Sequence, residues 1–254
     1  MTPLSETRAA RANRGRDRSR AMVHQHYHSR GWKGAYSKYE ELLRALVRPA
    51  SVVLDVGCGR SFPSADLLLR MGAEVHGLDP VIDPAVAPLK VTVKSGTAEE
   101  IPYPDSTFDL LISRSVLEHL RDPERVFGEF RRVLKPGGHV AFLTPNRYDY
   151  VSIAARIIPN ALHAGIITAL EGRERHDTFP TYYRANSVRQ IGRLAARTGF
   201  EVVHLEYVNH YPYLLTFSPL LCRVAIAYDE WIRRLRCLRW LQACLLGLLR
   251  STKR

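Results

Sequence analysis

Cysteine is scarce in this sequence. There are four among 254 residues (Cys58, Cys222, Cys237, Cys244), and no two are spaced as a disulfide framework or a metal-ligating set. No apolar run can span a bilayer, because the longest, 148–170, is broken by Arg156, Pro159, Asn160 and His163. The first residues lack the apolar stretch of a signal peptide. Together these absences predict a cytoplasmic protein whose contact with membrane, if any, is peripheral and at the inner face. A third glycine is missing from the one glycine-rich turn, where Gly57 and Gly59 are followed by Phe62. That argues against a dinucleotide site, whose third glycine packs helix against strand around a pyrophosphate. No internal repeat is visible.

Acid is missing at one end and sparse at the other. Trp231–Arg254 holds seven basic residues and no acid, and Met1–Arg20 sets six arginines against two acids. The formal net charge of +12 therefore lies almost wholly in the two ends, and the body between them is close to neutral. Residues 1–20 have too few apolar side chains to fold and are expected to form a disordered tail. Basic ends attract anionic lipid or nucleic acid.

What is present begins with VVLDVGCGRS at Val52–Ser61. An apolar, β-branched-rich run ending in an acid and two glycines predicts a buried parallel strand and a sharp turn. At such a turn backbone N–H groups can approach a ligand where a Cβ would collide. Asp55 would repel a phosphate but suits a cationic amine and ribose hydroxyls. A helix is expected over 65–70, and a second strand, Ala73–Pro80, ends in Asp79, at the spacing of a ribose-binding acid. The other reading of Asp79 is a turn former before Pro80. Further strands are expected at Leu89–Val93, Phe108–Ser113, His139–Leu143 and Glu201–Tyr207. Helices are expected at Lys38–Val47, Glu124–Leu134 and, capped by Asn186 or Ser187, up to Thr198 before Gly199. The helix from Glu124 should stop at Lys135-Pro136-Gly137-Gly138. The alternation is that of a doubly wound α/β sheet.

Four stretches in fixed order, LDVGCG (54–59), GLDP (77–80), GTAEEIPYPDSTFDLLISRSVLEHL (96–120) and FRRVLKPGGHVAFLTPN (130–146), resemble class I S-adenosylmethionine-dependent methyltransferases. The resemblance is nearest to the ubiquinone- and menaquinone-biosynthesis branch. It implies a Rossmann-like seven-stranded sheet, mostly parallel with the last strand antiparallel, bearing a helical substrate cap and an insertion. It also implies S-adenosyl-L-methionine as cofactor, bound by a core over 52–146 of one methyltransferase domain, 21–254. By the same resemblance Asp55, Gly57, Cys58 and Gly59 would surround the methionine end, and Asp79 with Pro80 would hold the ribose. Ala98 and Glu99 would meet the adenine, while Ser113 and Arg114 would lie beneath the sulfonium. Cys58 is expected to be a packing residue. The leader around Tyr27, Trp32, Tyr36 and Tyr39 would cover the cofactor mouth.

Methyl transfer needs an in-line nucleophile and, for a hydroxyl, a base. His119 is the first candidate base and His176 the second; the alternative for His119 is a structural hydrogen bond. Some members of the family hold a divalent metal on E-x-x-E-H, but Ser115 stands here in place of the first carboxylate, so no metal is expected. Segment 148–185 is expected to cap the substrate, either as packed short helices or as a lid over an apolar acceptor. Residues 209–241 form an expected insertion whose 219–241 part is amphipathic, with Trp and Arg interleaved, suited to a headgroup boundary or to packing on the body. Ala243–Leu249 is expected as the last strand.

These readings predict methylation of a small or lipid-linked acceptor, on oxygen. Two alternatives stand beside it. One is an RNA methyltransferase, against which no RNA-binding module or Asn/Asp-Pro-Pro-aromatic motif is present. The other is a non-catalytic scaffold, which would have no need to keep the glycines and acids.

Overall fold

The computed structural model describes residues 15–29, 31–82, 87–157, 179–212 and 215–253. Seven strands form one sheet in the order β3-β2-β1-β4-β5-β7-β6. They are β1 Val52–Val56, β2 Glu74–Asp79, β3 Val91–Ser95, β4 Phe108–Arg114, β5 Leu134–Pro145, β6 Phe200–Val208 and β7 Cys244–Ser251. β1 to β5 pair in parallel, and β7 runs antiparallel between β5 and β6. This is the sheet expected from the sequence, with its last strand reversed.

Helices cover both faces, which is why the inner strands are apolar at nearly every position. Successive strand residues point to opposite faces. Leu54 and Leu111 accordingly join a core with Phe127, Phe130 and Ile191, whereas Val53 and Ile112 join another with Tyr39, Leu43 and Leu68. The first core is closed by α4 (Pro123–Val133) and α6 (Val188–Thr198), the second by α2 (Ala35–Leu46) and α3 (Ala65–Arg70). Asp122 caps α4 by accepting from Arg125 N–H at 3.2 Å, with Pro123 in the first turn. Ser187 caps α6, and Gly199 ends it at φ 75° as expected. A short α5, Tyr150–Ile157, follows β5, and α7, Pro219–Arg234, precedes β7.

Four expectations need correction. β3 starts at Val91, because Leu89 is 92% exposed at a turn in which Pro88 O accepts from Val91 N–H. β5 starts at Leu134 instead of His139. The segment Lys135–Gly138 is a bulge in the strand, where the register jumps from Phe108↔Leu134 to Leu110↔His139. The amphipathic helix stops at Arg234, where Leu235 turns extended and a 3-10 segment, Arg236–Leu241, follows. Residues 15–20, assigned to the disordered tail, begin a helix α1 (15–23) that runs into a π-helical turn, His24–His28. Its packing partner lies some 200 residues away. Ser19 is buried with its carbonyl 3.8 Å from Cys222 Sγ, and Tyr27 OH donates to Asp229 Oδ2 at 2.7 Å. Local composition cannot reveal such a partner. Residues 1–14 and most of the expected cap, 158–178, lie outside the described residues.

Candidate active site

The sheet order places β1 between β2 and β4, so crossovers leave β1 on both sides and a crevice opens at the strands' carboxyl ends. Asp55 sits in that crevice, paired across the ladder with Gly77 and Ile112, and Val56 beside it pairs with Leu78 and Ser113. The chain then turns at Gly57, whose φ of 73° favours glycine. A Cβ there would strike the Val116 side chain. Gly57 N–H donates to Leu78 O at 2.7 Å, and Gly59 N–H donates to Asp79 Oδ2 at 3.0 Å. Asp79 Oδ1 accepts from Val81 N–H at 3.0 Å, so this acid also shapes the turn at exposed Pro80. Each Asp79 oxygen keeps a lone pair for a ligand hydroxyl.

Burial pushes the Asp55 carboxyl up to about 7; Arg114 opposes the rise and Asp79 adds to it. Arg114 lies under the Tyr36 ring, 5.1 Å from its centroid. Tyr39, fully buried from α2, is close enough to feel the charges of Asp55 and Arg114. The leader thus packs over the ends of β1 and β4. Ser113 Oγ is buried without a hydrogen-bond partner among the described residues. Space beside Gly59 is open, since a Cβ built there meets nothing within 4 Å. An orphaned hydroxyl, a free pair of carboxylate lone pairs and an uncrowded glycine fit a ligand with an amine and ribose hydroxyls. Cys58 packs against Gly77, and burial followed by Asp55 and Asp79 pushes its thiol up to about 12. It is no nucleophile at neutral pH.

On the far side of β2, Ala98 is buried and Glu99 half-buried, its carbonyl accepting from Arg125 Nε at 3.0 Å. Glu99 also lines a cleft of about 730 Å³ with Gly96, Glu129 and Arg132. None of Asp55, Gly57, Gly59 or Asp79 reaches that cleft, and Arg132 is occupied holding Tyr103 O, Ile101 O, Asp105 and Glu129.

Val116, which packs against Gly57, leads from the end of β4 into a 3-10 turn, Leu117–His119. His119 Nδ1 lies 2.9 Å from Pro180 O. A carbonyl only accepts, so Nδ1 carries the proton and Nε2 keeps its lone pair. Nε2 is 3.9 Å from Glu118 Oε1, too far for a hydrogen bond. His119 therefore makes, through Nδ1, the structural hydrogen bond of its alternative reading, and Nε2 takes no part in that bond. Glu118 is buried and its carboxyl is raised by that burial, with Thr144 Oγ1 donating to Oε2 at 3.1 Å. Asn186 Nδ2 in turn donates to Thr144 Oγ1 at 2.7 Å and to Pro145 O at 3.0 Å. This network ties β5 to the segment before α6. Sequence reasoning missed it, because its members are ordinary polar residues up to 68 positions apart. His176, the second candidate base, lies outside the described residues.

A mostly parallel seven-stranded sheet with an acid-and-glycine crevice at its switch point defines a Rossmann-like, nucleoside-binding α/β domain. Residues 24–205 match the family model described as a methyltransferase domain. The chain belongs to that family, as a class I S-adenosylmethionine-dependent member. It is 31% identical over 168 residues, 61% of this chain and 62% of the other, to a probable S-adenosylmethionine-dependent methyltransferase of Mycolicibacterium smegmatis. It is 33% identical over 178 residues to a ubiquinone biosynthesis O-methyltransferase of Pseudomonas putida, covering 63% of this chain and 71% of that one. Matches to curated relatives span from 44% to 71% of the relatives' own length. Among solved structures, a geranyl diphosphate C-methyltransferase of Streptomyces coelicolor, crystallised with S-adenosyl-L-homocysteine, superposes with a TM-score of 0.56. It is 17% identical, with 85% of this chain and 79% of that one covered, a likeness of fold.

Proposed function

We propose that this chain transfers a methyl group from S-adenosyl-L-methionine to an oxygen of a small, apolar or lipid-linked acceptor, in the cytoplasm. The observation that carries the reading is the pair of carboxylates at successive strand ends, one of them locked to the glycine turn by the Gly59–Asp79 hydrogen bond. Two acids at that edge disfavour a pyrophosphate and favour an amine and hydroxyls. When bound, the cofactor supplies an electrophilic methyl on a sulfonium. Asp79 would hold the ribose hydroxyls, with Pro80 shaping the turn beside it. Asp55, Gly57, Cys58 and Gly59 would surround the amino-acid end. Ala98 and Glu99 would border the adenine, with Ser113 and Arg114 beneath the reacting centre.

His119 Nε2 would take the acceptor's proton as its oxygen attacks, while the Pro180 carbonyl steadies the resulting imidazolium through Nδ1–H. Oxygen as the acceptor atom draws support from that nitrogen and from relatives named as ubiquinone biosynthesis O-methyltransferases. The test is incubation with methyl-labelled S-adenosyl-L-methionine and a panel of phenols and isoprenoid-bearing phenols. Label in an ether product supports the reading. Label on a ring or chain carbon would move the acceptor from oxygen to carbon.

A further inference from the structure

A helix packed on a domain ordinarily shows one apolar stripe; α7 shows two. At about 3.6 residues per turn, Cys222, Ala225, Asp229 and Ile232 share the face turned to the body, and all four are buried. Leu220, Val224 and Trp231 share the opposite face, with exposures of 70%, 59% and 57%. Leu235 at the helix end and Trp240 in the 3-10 segment are exposed as well. No element among the described residues covers this second stripe. The Tyr150–Tyr228 ring contact sets α5 beside it, where Ile153 and Ile157 are also exposed.

Charge follows the same division. Arg223, Arg234, Arg236 and Arg239 are exposed along the helix and the turn after it. Of the acids of α7, Asp229 faces inward to Tyr27, while half-buried Glu230 lies 3.3 Å from His26 and 3.6 Å from Arg234. The contacts of Ser19 with Cys222 and of Tyr27 with Asp229 lay α1 parallel to α7. That sets exposed Arg16, Arg18 and Arg20, with Asp17 among them, on a helix packed directly beside α7. Among the described residues, Arg16, Arg18 and Arg20 and the arginines of α7 therefore stand on neighbouring helices.

We propose that the outward face of α7, with the 3-10 segment after it, docks the protein on an anionic lipid surface. Tryptophan and leucine enter the headgroup boundary, and the flanking arginines meet lipid phosphates. No helix among the described residues is long and apolar enough to cross a membrane, so the contact is with the surface. A second copy of the chain would bury the apolar stripe but would set these arginines against one another, and RNA would leave the stripe uncovered.

The test is sedimentation of the full chain with phosphatidylcholine vesicles, with and without phosphatidylglycerol, at low and raised salt. The chain is expected to pellet with phosphatidylglycerol vesicles, to be partly released by salt, and to stay in solution with phosphatidylcholine alone. The triple variant Leu220→Ser, Val224→Ser, Trp231→Ser should remain in the supernatant while binding S-adenosyl-L-homocysteine as the parent does. That second readout reports folding and separates failure of docking from failure of the methyl-transfer reading. Docking is overturned if the parent ignores phosphatidylglycerol vesicles, or if the triple variant pellets equally well. It is also overturned if the stripe is found to hold a dimer, or RNA, in place of vesicles.

Discussion

Asp79 Oδ2 accepts the Gly59 N–H at 3.0 Å, so the end of β2 and the turn after β1 are one hydrogen-bonded unit. The carboxylate shapes the glycine turn and, on the proposed reading, reads the ribose. Replacing Asp79 with Ala should weaken S-adenosyl-L-homocysteine binding by about 1–3 kcal/mol, roughly 5- to 150-fold. Calorimetry should show this, and the loss of two acceptors for backbone N–H groups should lower the melting temperature as well. Unchanged affinity would remove Asp79 from the ribose site.

Asp55 should make cofactor binding depend on pH. With its carboxyl raised to about 7, mainly by burial, the free protein is partly protonated there at neutrality. An incoming ammonium favours the ionised form, so binding should release a proton and tighten as pH rises through about 7. Titrations in buffers of differing ionisation enthalpy measure that proton. Asp55→Asn should abolish both the proton release and the slope.

His119→Ala should lower kcat by roughly 100-fold or more, in the range of a lost general base, with cofactor affinity near that of the parent. If turnover persists, His119 serves only as the anchor to Pro180.

Stability should fall as pH rises from about 4 to about 7. Burial is the leading cause raising Asp55 and Asp149 to about 7 and Asp229 to about 6. In that window the folded chain holds protons that the unfolded chain has released, so these groups favour folding at the lower end and the contribution is lost above their folded values. Asp229→Asn keeps an acceptor for Tyr27 OH and should flatten the melting-temperature profile, by on the order of 1–3 kcal/mol across the window. An unchanged slope would contradict the assignment of Asp229.

The sheet and the crevice were legible because their signals are local. VVLDVGCG and GLDP each carry strand, acid and turn within a few residues, and Ser187 and Gly199 mark both ends of α6. What was not legible depends on partners distant in sequence. The helix at 15–20 is explained by Cys222 and Asp229, and the Glu118–Thr144–Asn186 network by three separate segments. The glycines at 137 and 138 do follow the end of α4, but composition does not distinguish a break from a bulge whose pairing resumes at His139, so the start of β5 was not legible.

The most direct trial of the central claim is a side-by-side calorimetric titration of the purified chain with S-adenosyl-L-homocysteine and with a nicotinamide dinucleotide. The carboxylate-lined crevice should take one equivalent of the first and give no heat with the second. Saturable binding of the dinucleotide, with none of the thioether, would contradict it.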